Sequence, residues 1–213
     1  PALPSSVASC TVSAPAGDAA DLAPLMCAGL TAFGALERAQ LAHGETCAIF
    51  GCGGLGLYAV QLAARRKARV VAIDSDPAKL TIAARHGATD TRLATPDLAD
   101  NWPQDDRAHA TINFAPTPRT WDAMCAATRP LGRIVAAAMV SDPVPLSQEW
   151  LTWTGITLTG TSVGTRAQMR ELMDLHAKSP LRAEIETIPL DAVSEALVAL
   201  SEGRARGRYC IRF

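Results

Sequence analysis

The sequence predicts an α/β protein built on a doubly wound parallel sheet, and three observations lead there. Short apolar runs rich in β-branched residues alternate with stretches of helical periodicity along nearly the whole chain. That rhythm is what parallel strands joined by crossover helices require. Of the 213 residues 48% are hydrophobic, enough for a substantial core. Finally, Gly51, Gly53 and Gly56 stand between an apolar run and a helix-like stretch, where a chain has to turn sharply.

The first 17 residues are Pro/Ala/Ser-rich with one short β-like stretch, Ala8 to Val12, and the chain starts at Pro1 without a methionine. They read as the tail of something that began earlier. Helices are expected at about 19–25 and 28–40, then a strand at 46–50, a helix at 55–66 and a strand at 69–74. Asp76 is a good helix cap, Pro77 a good first helical residue, and Gly87 stands just past the end, which predicts a helix over 77–86. Thr89 to Leu93 is a short strand and 94–107 a polar, Asp-rich connection. His109 to Phe114 is a strand, Pro118 to Thr128 a helix, Arg133 to Met139 a strand, and Thr157 to Thr161 a further strand. Thr165 and Gln168 form a capping box ahead of Met169, Leu172, Met173 and His176 at helical spacing. Ser179-Pro180 stops that helix. Ile185 to Pro189 is a strand; Val193, Ala196, Leu197 and Leu200 mark a helix ended by Gly203; Tyr209 to Phe213 closes as a strand.

The segment from Thr46 to Asp74 carries the function. Cys47-Ala48-Ile49-Phe50 leads into Gly51-Cys52-Gly53-Gly54-Leu55-Gly56, a helix follows, and Val70-Val71-Ala72-Ile73 ends on Asp74. Strand, glycine turn, helix, strand and acid in this order describe a Rossmann-type dinucleotide site. Gly51 makes the tight turn, Gly53 lets backbone approach a pyrophosphate, and Gly56 permits close helix packing, with Gly54 and Leu55 completing the loop. The helix start offers unpaired N–H groups and a partial positive charge to phosphates. Asp74, followed by Ser75, stands where a carboxylate can accept from both ribose hydroxyls. The alternative is a ligand-free structural turn with Asp74 as a solvated strand-end charge.

A net charge of −1 gives no electrostatic case for nucleic acid or an anionic membrane. The longest apolar stretch, Cys47 to Val60, is broken by four glycines and does not read as a membrane span. Nothing at the start reads as a signal peptide. Cys10, Cys27, Cys47, Cys52, Cys125 and Cys210 contain no CxxC pair, so a reduced, cytoplasmic protein is expected. His43, His86, His109 and His176 show no ligand spacing.

Met26-Cys27-Ala28-Gly29-Leu30-Thr31-Ala32-Phe33-Gly34-Ala35-Leu36, then His43-Gly44-Glu45-Thr46, the glycine loop and the closing Gly207-Arg208-Tyr209-Cys210-Ile211-Arg212-Phe213 resemble the medium-chain zinc-type alcohol dehydrogenases. The resemblance runs from about Ala8 to Phe213. It implies an NAD(H)-binding domain over 27–213, with 1–26 as the connection from a GroES-like catalytic domain of which this sequence lacks nearly all. In that family a catalytic zinc is held by a cysteine and a histidine of the catalytic domain and by a third ligand at the position Cys27 matches. Zinc is therefore expected only if the missing domain is supplied, and no catalytic residue is assigned. On its own residues, Cys27 reads as a small buried side chain beside a helix start.

By the same resemblance Thr31 borders the nicotinamide, and the backbone of Ala137, Met139 and Val163 holds its carboxamide. Phe114, Ala115 and Pro116 wall the site, Lys79 lies near the adenosine ribose, and Arg208 reaches the pyrophosphate. Read without it, Lys79 and Arg208 are solvated charges and Ala137 and Met139 ordinary sheet core. Lys67, Ala136-Ala137-Ala138-Met139 and Asn113-Phe114-Ala115-Pro116 depart from the family pattern. Three functions compete: the NAD(H) domain of an enzyme passing hydride between an alcohol or carbonyl and nicotinamide; a zinc-free quinone or enoyl reductase, against which Cys27 and Asp74 argue; and a catalytically empty NAD-binding or oligomerisation module. The resemblance also implies a homodimer or tetramer paired through the strand at Thr157 to Thr161. Trp150, Leu151, Trp153, Ile156 and Leu158 crowd apolar groups there, unless both tryptophans pack inward.

Overall fold

A computed structural model describes residues 12–205 and 207–212. The β-like stretch at Ala8 falls almost wholly outside the described residues. Helix α1 (Ala19–Leu22) and a 3-10 turn (Ala23–Met26) precede α2 (Ala28–Arg38). Then follow β1 (Thr46–Phe50), α3 (Gly56–Arg65), β2 (Arg69–Asp74), α4 (Pro77–Arg85), β3 (Asp90–Leu93) and β4 (Ala108–Asn113). The second half holds α5 (Trp121–Ala127), β5 (Thr128–Ala136), α6 (Gln148–Thr154), β6 (Thr157–Gly160), α7 (Arg166–Lys178), β7 (Ile185–Ile188), α8 (Val193–Ser201) and β8 (Arg208–Ile211).

The main sheet has the order β3-β2-β1-β4-β5-β6, and every pairing in it is parallel. Along β1 the side chains alternate as the pleat demands. Cys47 and Ile49 join the core with α2 and α3, whereas Ala48 and Phe50 join the one with Trp102, Met124 and Ile134. Val70 and Ala72 of β2 divide from Val71 and Ile73 in the same way. Both faces are covered, which is why these strands read as continuous apolar runs rather than alternating ones. Leu25 is fully buried in the first core, so residues ahead of Cys27 pack with the domain.

Three elements differ from the sequence reading. The closing strands do not extend the main sheet: β7 and β8 pair with each other, from Ile185↔Arg208 to Ile188↔Ile211. Gln61 of α3 explains the detour, since its amide donates to the Arg182 carbonyl (2.7 Å) and accepts from the Arg182 N–H (2.8 Å), holding the approach to β7 against α3. Secondly, β5 begins at Thr128 and ends at Ala136, with a register break opposite Ala108/Ala110 and Leu131 at φ +61°. Ala137 and Met139 therefore lie beyond the strand, where the Asn113 carbonyl accepts from both Ala137 N–H (3.1 Å) and Ala138 N–H (2.8 Å). Thirdly, α6 stands where no helix was expected. Ser147 caps it by accepting from the Trp150 N–H (3.1 Å), and Gly155 ends it in the left-handed conformation.

Two histidines have ring nitrogens engaged within the fold. His109 Nδ1 accepts from the Thr46 N–H (3.1 Å) and its Nε2 meets the Arg129 guanidinium (2.7 Å). His176 Nδ1 accepts from the Leu181 N–H (3.2 Å). Desolvation, and then Arg129 beside His109 and Arg65 beside His176, lower both pKa values. Since the unfolded chain binds more protons in that range, this stabilisation is present above the ordinary histidine value near 6.5 and is lost as pH falls from there toward the depressed values. Urea unfolding should show lower stability at pH 5.5 than at pH 7.5. A His109→Gln/His176→Gln chain should show a shallower fall; an unchanged slope would refute this origin.

Candidate functional site

The strand order reverses between β1 and β4, and the crevice outside the carboxyl ends of strands at such a point is where open α/β sheets bind ligands. The glycine loop sits there. Gly51 has φ +87°, and its N–H donates to the Ile73 carbonyl (2.8 Å). A Cβ on it would lie 2.7 Å from the Ala115 N, so the loop passes hard against the turn after β4. A Cβ on Gly56 would run into the Gly51 carbonyl; here glycine clears the loop's own backbone rather than only the strand. Nothing lies within 4 Å of the Cβ position at Gly53, which leaves that side open. Leu55 is the half-buried cap residue of α3. Among the described residues, the N–H groups of Gly53, Gly54 and Leu55 donate to nothing.

Asp74, at the end of β2, is 9% exposed. Its Oδ2 accepts from the Cys52 N–H (2.7 Å) and its Oδ1 from the Asp76 N–H (3.0 Å). The carboxylate thus ties the glycine loop to β2 and retains lone pairs for further donors. Ser75 is exposed beside it, and Lys79 is half-buried in the first turn of α4, which Asp76 caps. Cys52 is fully buried, and its thiol is pushed up to about 12 by desolvation and then by the Asp74 charge, so it is inert.

Arg208 arrives from the other end of the chain. The Cβ position at Gly54 would lie 2.5 Å from its Nε and 3.0 Å from its Cδ. The Nε and one terminal nitrogen of Arg208 are buried without any hydrogen-bond partner. Leaving charged donors unsatisfied is expensive, and here they lie over a loop whose amides are also unpaired. The two sets together make a cradle for an anion.

Phe114 and Ala115 follow β4, with the Phe114 N–H donating to the Phe50 carbonyl (2.7 Å) and the Ala115 N–H to Asn113 Oδ1 (3.0 Å). Thr31 is buried on α2 and its hydroxyl donates to the Cys27 carbonyl (2.7 Å). Ala137 lies just beyond β5, Val163 just beyond β6, and the Met139 side chain is 95% exposed rather than part of the sheet core. Cys27 is exposed at the start of α2, not buried as its residue type alone suggests. Two contributors escaped the sequence reading. The Cys52 N–H binds Asp74, and Asn113 anchors both flanking turns; the unusual Asn113-Phe114-Ala115-Pro116 stretch was the one available signal for the second.

A sequence profile of the zinc-binding dehydrogenases matches residues 54–178. The chain belongs to the zinc-binding dehydrogenase family. The chain is 28% identical over 205 residues to an alcohol dehydrogenase of Geobacillus stearothermophilus, covering 92% of itself and 58% of that protein. The thermostable alcohol dehydrogenase of Pyrobaculum aerophilum superposes with a TM-score of 0.82 at 28% identity, over 92% of this chain and 59% of that one. An acetophenone reductase of Geotrichum candidum, solved in complex with NAD, shares the fold at a TM-score of 0.83 and 24% identity, over 94% of this chain and 58% of the reductase. The chain thus spans less than two thirds of the length of these relatives. Among its described residues, no three His, Cys, Asp or Glu side chains stand close enough to hold a metal ion, and Cys27 alone does not make a zinc site.

Proposed function

We propose that this chain is the NAD(H)-binding part of an oxidoreductase that passes hydride between an alcohol or carbonyl compound and nicotinamide. The pair of partnerless, buried Arg208 nitrogens over Gly54 carries the reading, since a pyrophosphate would satisfy them together with the loop N–H groups. Bound NAD(H) supplies the hydride acceptor or donor. The chain's own residues bind and orient: the glycine loop and Arg208 take the diphosphate, Asp74 the adenosine ribose, and the turns after β4, β5 and β6 the other half. The alcohol dehydrogenases among its relatives support the substrate class. The described cysteines are all free, in keeping with a reducing, cytoplasmic setting within the same proposal.

Calorimetric titration tests it. NAD(H) should bind more tightly than NADP(H), because a 2′-phosphate beside Asp74 meets a like charge costing on the order of a few kcal/mol at an intermediate dielectric. The preference should therefore reach about tenfold or more. NADP(H) binding as tightly would overturn the assignment of Asp74. The purified 213-residue polypeptide should not oxidise simple alcohols even with zinc present, because Cys27 has no partner ligands among the described residues. Zinc-dependent turnover would mean that a ligand set exists where none is recognised.

A further inference from the structure

Helix α2 meets the turn after β6 through a glycine. The Cβ position at Gly34 lies 2.5 Å from the Val163 carbonyl oxygen and 3.5 Å from Gly164 Cα. Both are backbone atoms, so no side-chain rotation could make room. Val163 has φ +57°, a conformation that costs a β-branched residue dearly and persists only where its surroundings hold it. The surroundings act from two sides. On one, Gly34 admits the carbonyl, and the Cβ position at Gly164 lies 2.8 Å from Leu30 Cδ1 of the same helix. On the other, the capping box of α7 fixes the next residue: the Thr165 N–H donates to Gln168 Oε1 (2.8 Å) and the Gln168 N–H to Thr165 Oγ1 (3.2 Å).

The place of this turn gives the contact its meaning. Asp74 assigns the β1-β2-β3 half of the sheet to the adenosine, which leaves the β4-β5-β6 half and its carboxyl-end turns to the nicotinamide. Val163 follows β6 in that half, and Thr31 precedes Gly34 by one turn of α2, on the same side of the helix. We propose that Gly34 is a positioning residue for the nicotinamide. By carrying no side chain, it sets how closely α2 approaches the Val163 carbonyl and keeps that backbone in the left-handed turn against which the ring lies. The proposal rests on the NAD(H) reading above.

Gly34→Ala in the full chain tests it, with NADH and with ADP-ribose, which lacks the nicotinamide ring. The variant should bind NADH at least about tenfold more weakly, as displacements near one ångström cost in well-fitted sites, and should lose the fluorescence enhancement of bound NADH. ADP-ribose affinity should stay within about twofold of the parent's. Equal losses for both ligands, or no loss for either, overturn the proposal. A parent chain that binds neither refutes the NAD(H) reading instead. Should Gly34→Ala fail to fold, Gly34→Ala/Val163→Gly provides the readout, since a glycine lets the displaced peptide relax. That double variant should fold, keep ADP-ribose and bind NADH weakly; full NADH affinity in it overturns the proposal.

Discussion

Replacing Asp74 with alanine is expected to cost the chain both its cofactor and a good part of its stability. The carboxylate accepts from two N–H groups, those of Cys52 and Asp76, at a site only 9% exposed. Removing it leaves both donors unpaired, a loss of about 1–3 kcal/mol for each. The glycine loop then loses one of its ties to β2, keeping the Gly51 N–H bond to the Ile73 carbonyl, and the acceptor proposed for the ribose hydroxyls is gone. NAD(H) affinity should fall by about a hundredfold or more, the equivalent of about 3 kcal/mol. Asp74→Asn should fall between, since its amide keeps one acceptor but turns a donor toward the second N–H group. Urea unfolding and titration of the same samples separate the effects. Lost binding at unchanged stability would show that the hydrogen bond to Cys52 contributes nothing to the fold. It follows that a single substitution here should not convert the chain to NADP(H), because the residue we propose to read the ribose also holds the glycine loop.

The second large effect is expected at the far edge of the sheet. Strand β6 pairs only with β5, so its outer row of N–H and C=O groups has no partner strand among the described residues. Leu158 is 36% exposed on it and Trp153 of α6 is 82% exposed nearby, whereas Ile156 is buried and Trp150 half-buried against the core beneath. One tryptophan packs inward and the other does not. We expect the edge to pair with its twin about a twofold axis, continuing the sheet across two copies. Covering Trp153 would contribute about 1.5–3 kcal/mol, and covering the remaining exposed part of Leu158 a fraction of that. Sedimentation should report a dimer, and Leu158→Lys a monomer or a precipitate. A clean monomer of the unmodified chain at high concentration would show that something else covers this edge.

How much of this was legible depended on how local its cause is. The glycine turn is written within six residues, Gly51 to Gly56, and Gly51 and Gly56 stand where backbone comes too close for a Cβ. Central strands could be read because both faces are apolar, and α4 and α7 because Asp76 and Thr165 cap them. Helix α6 was obscured by its composition: tryptophans and threonines favour strands, and its signals were a lone Ser147 and Gly155. The end of β5 is set by Asn113 on a neighbouring strand, so no pattern in residues 133–139 could mark where it stops. The separate pairing of β7 with β8 depends likewise on Gln61, far away in the chain. Cys27 shows the same limit from the other side, since residue type alone suggested burial and its place at the tip of α2 exposes it.

The cradle over the glycine loop has a consequence for how the molecule comes into being. Its amides belong to residues 53–55, its cation to Arg208, and the Arg212–Asp18 ion pair fastens the same late strand to the early part of the chain. On a ribosome the glycine turn is therefore made long before the guanidinium that completes it. A nascent chain can assemble β1, α3 and β2 and still offer a diphosphate only the amide half of the cradle until β8 docks beside β7. Cofactor capture should thus follow the docking of β8, with NAD(H) binding the folded domain rather than templating its first strands.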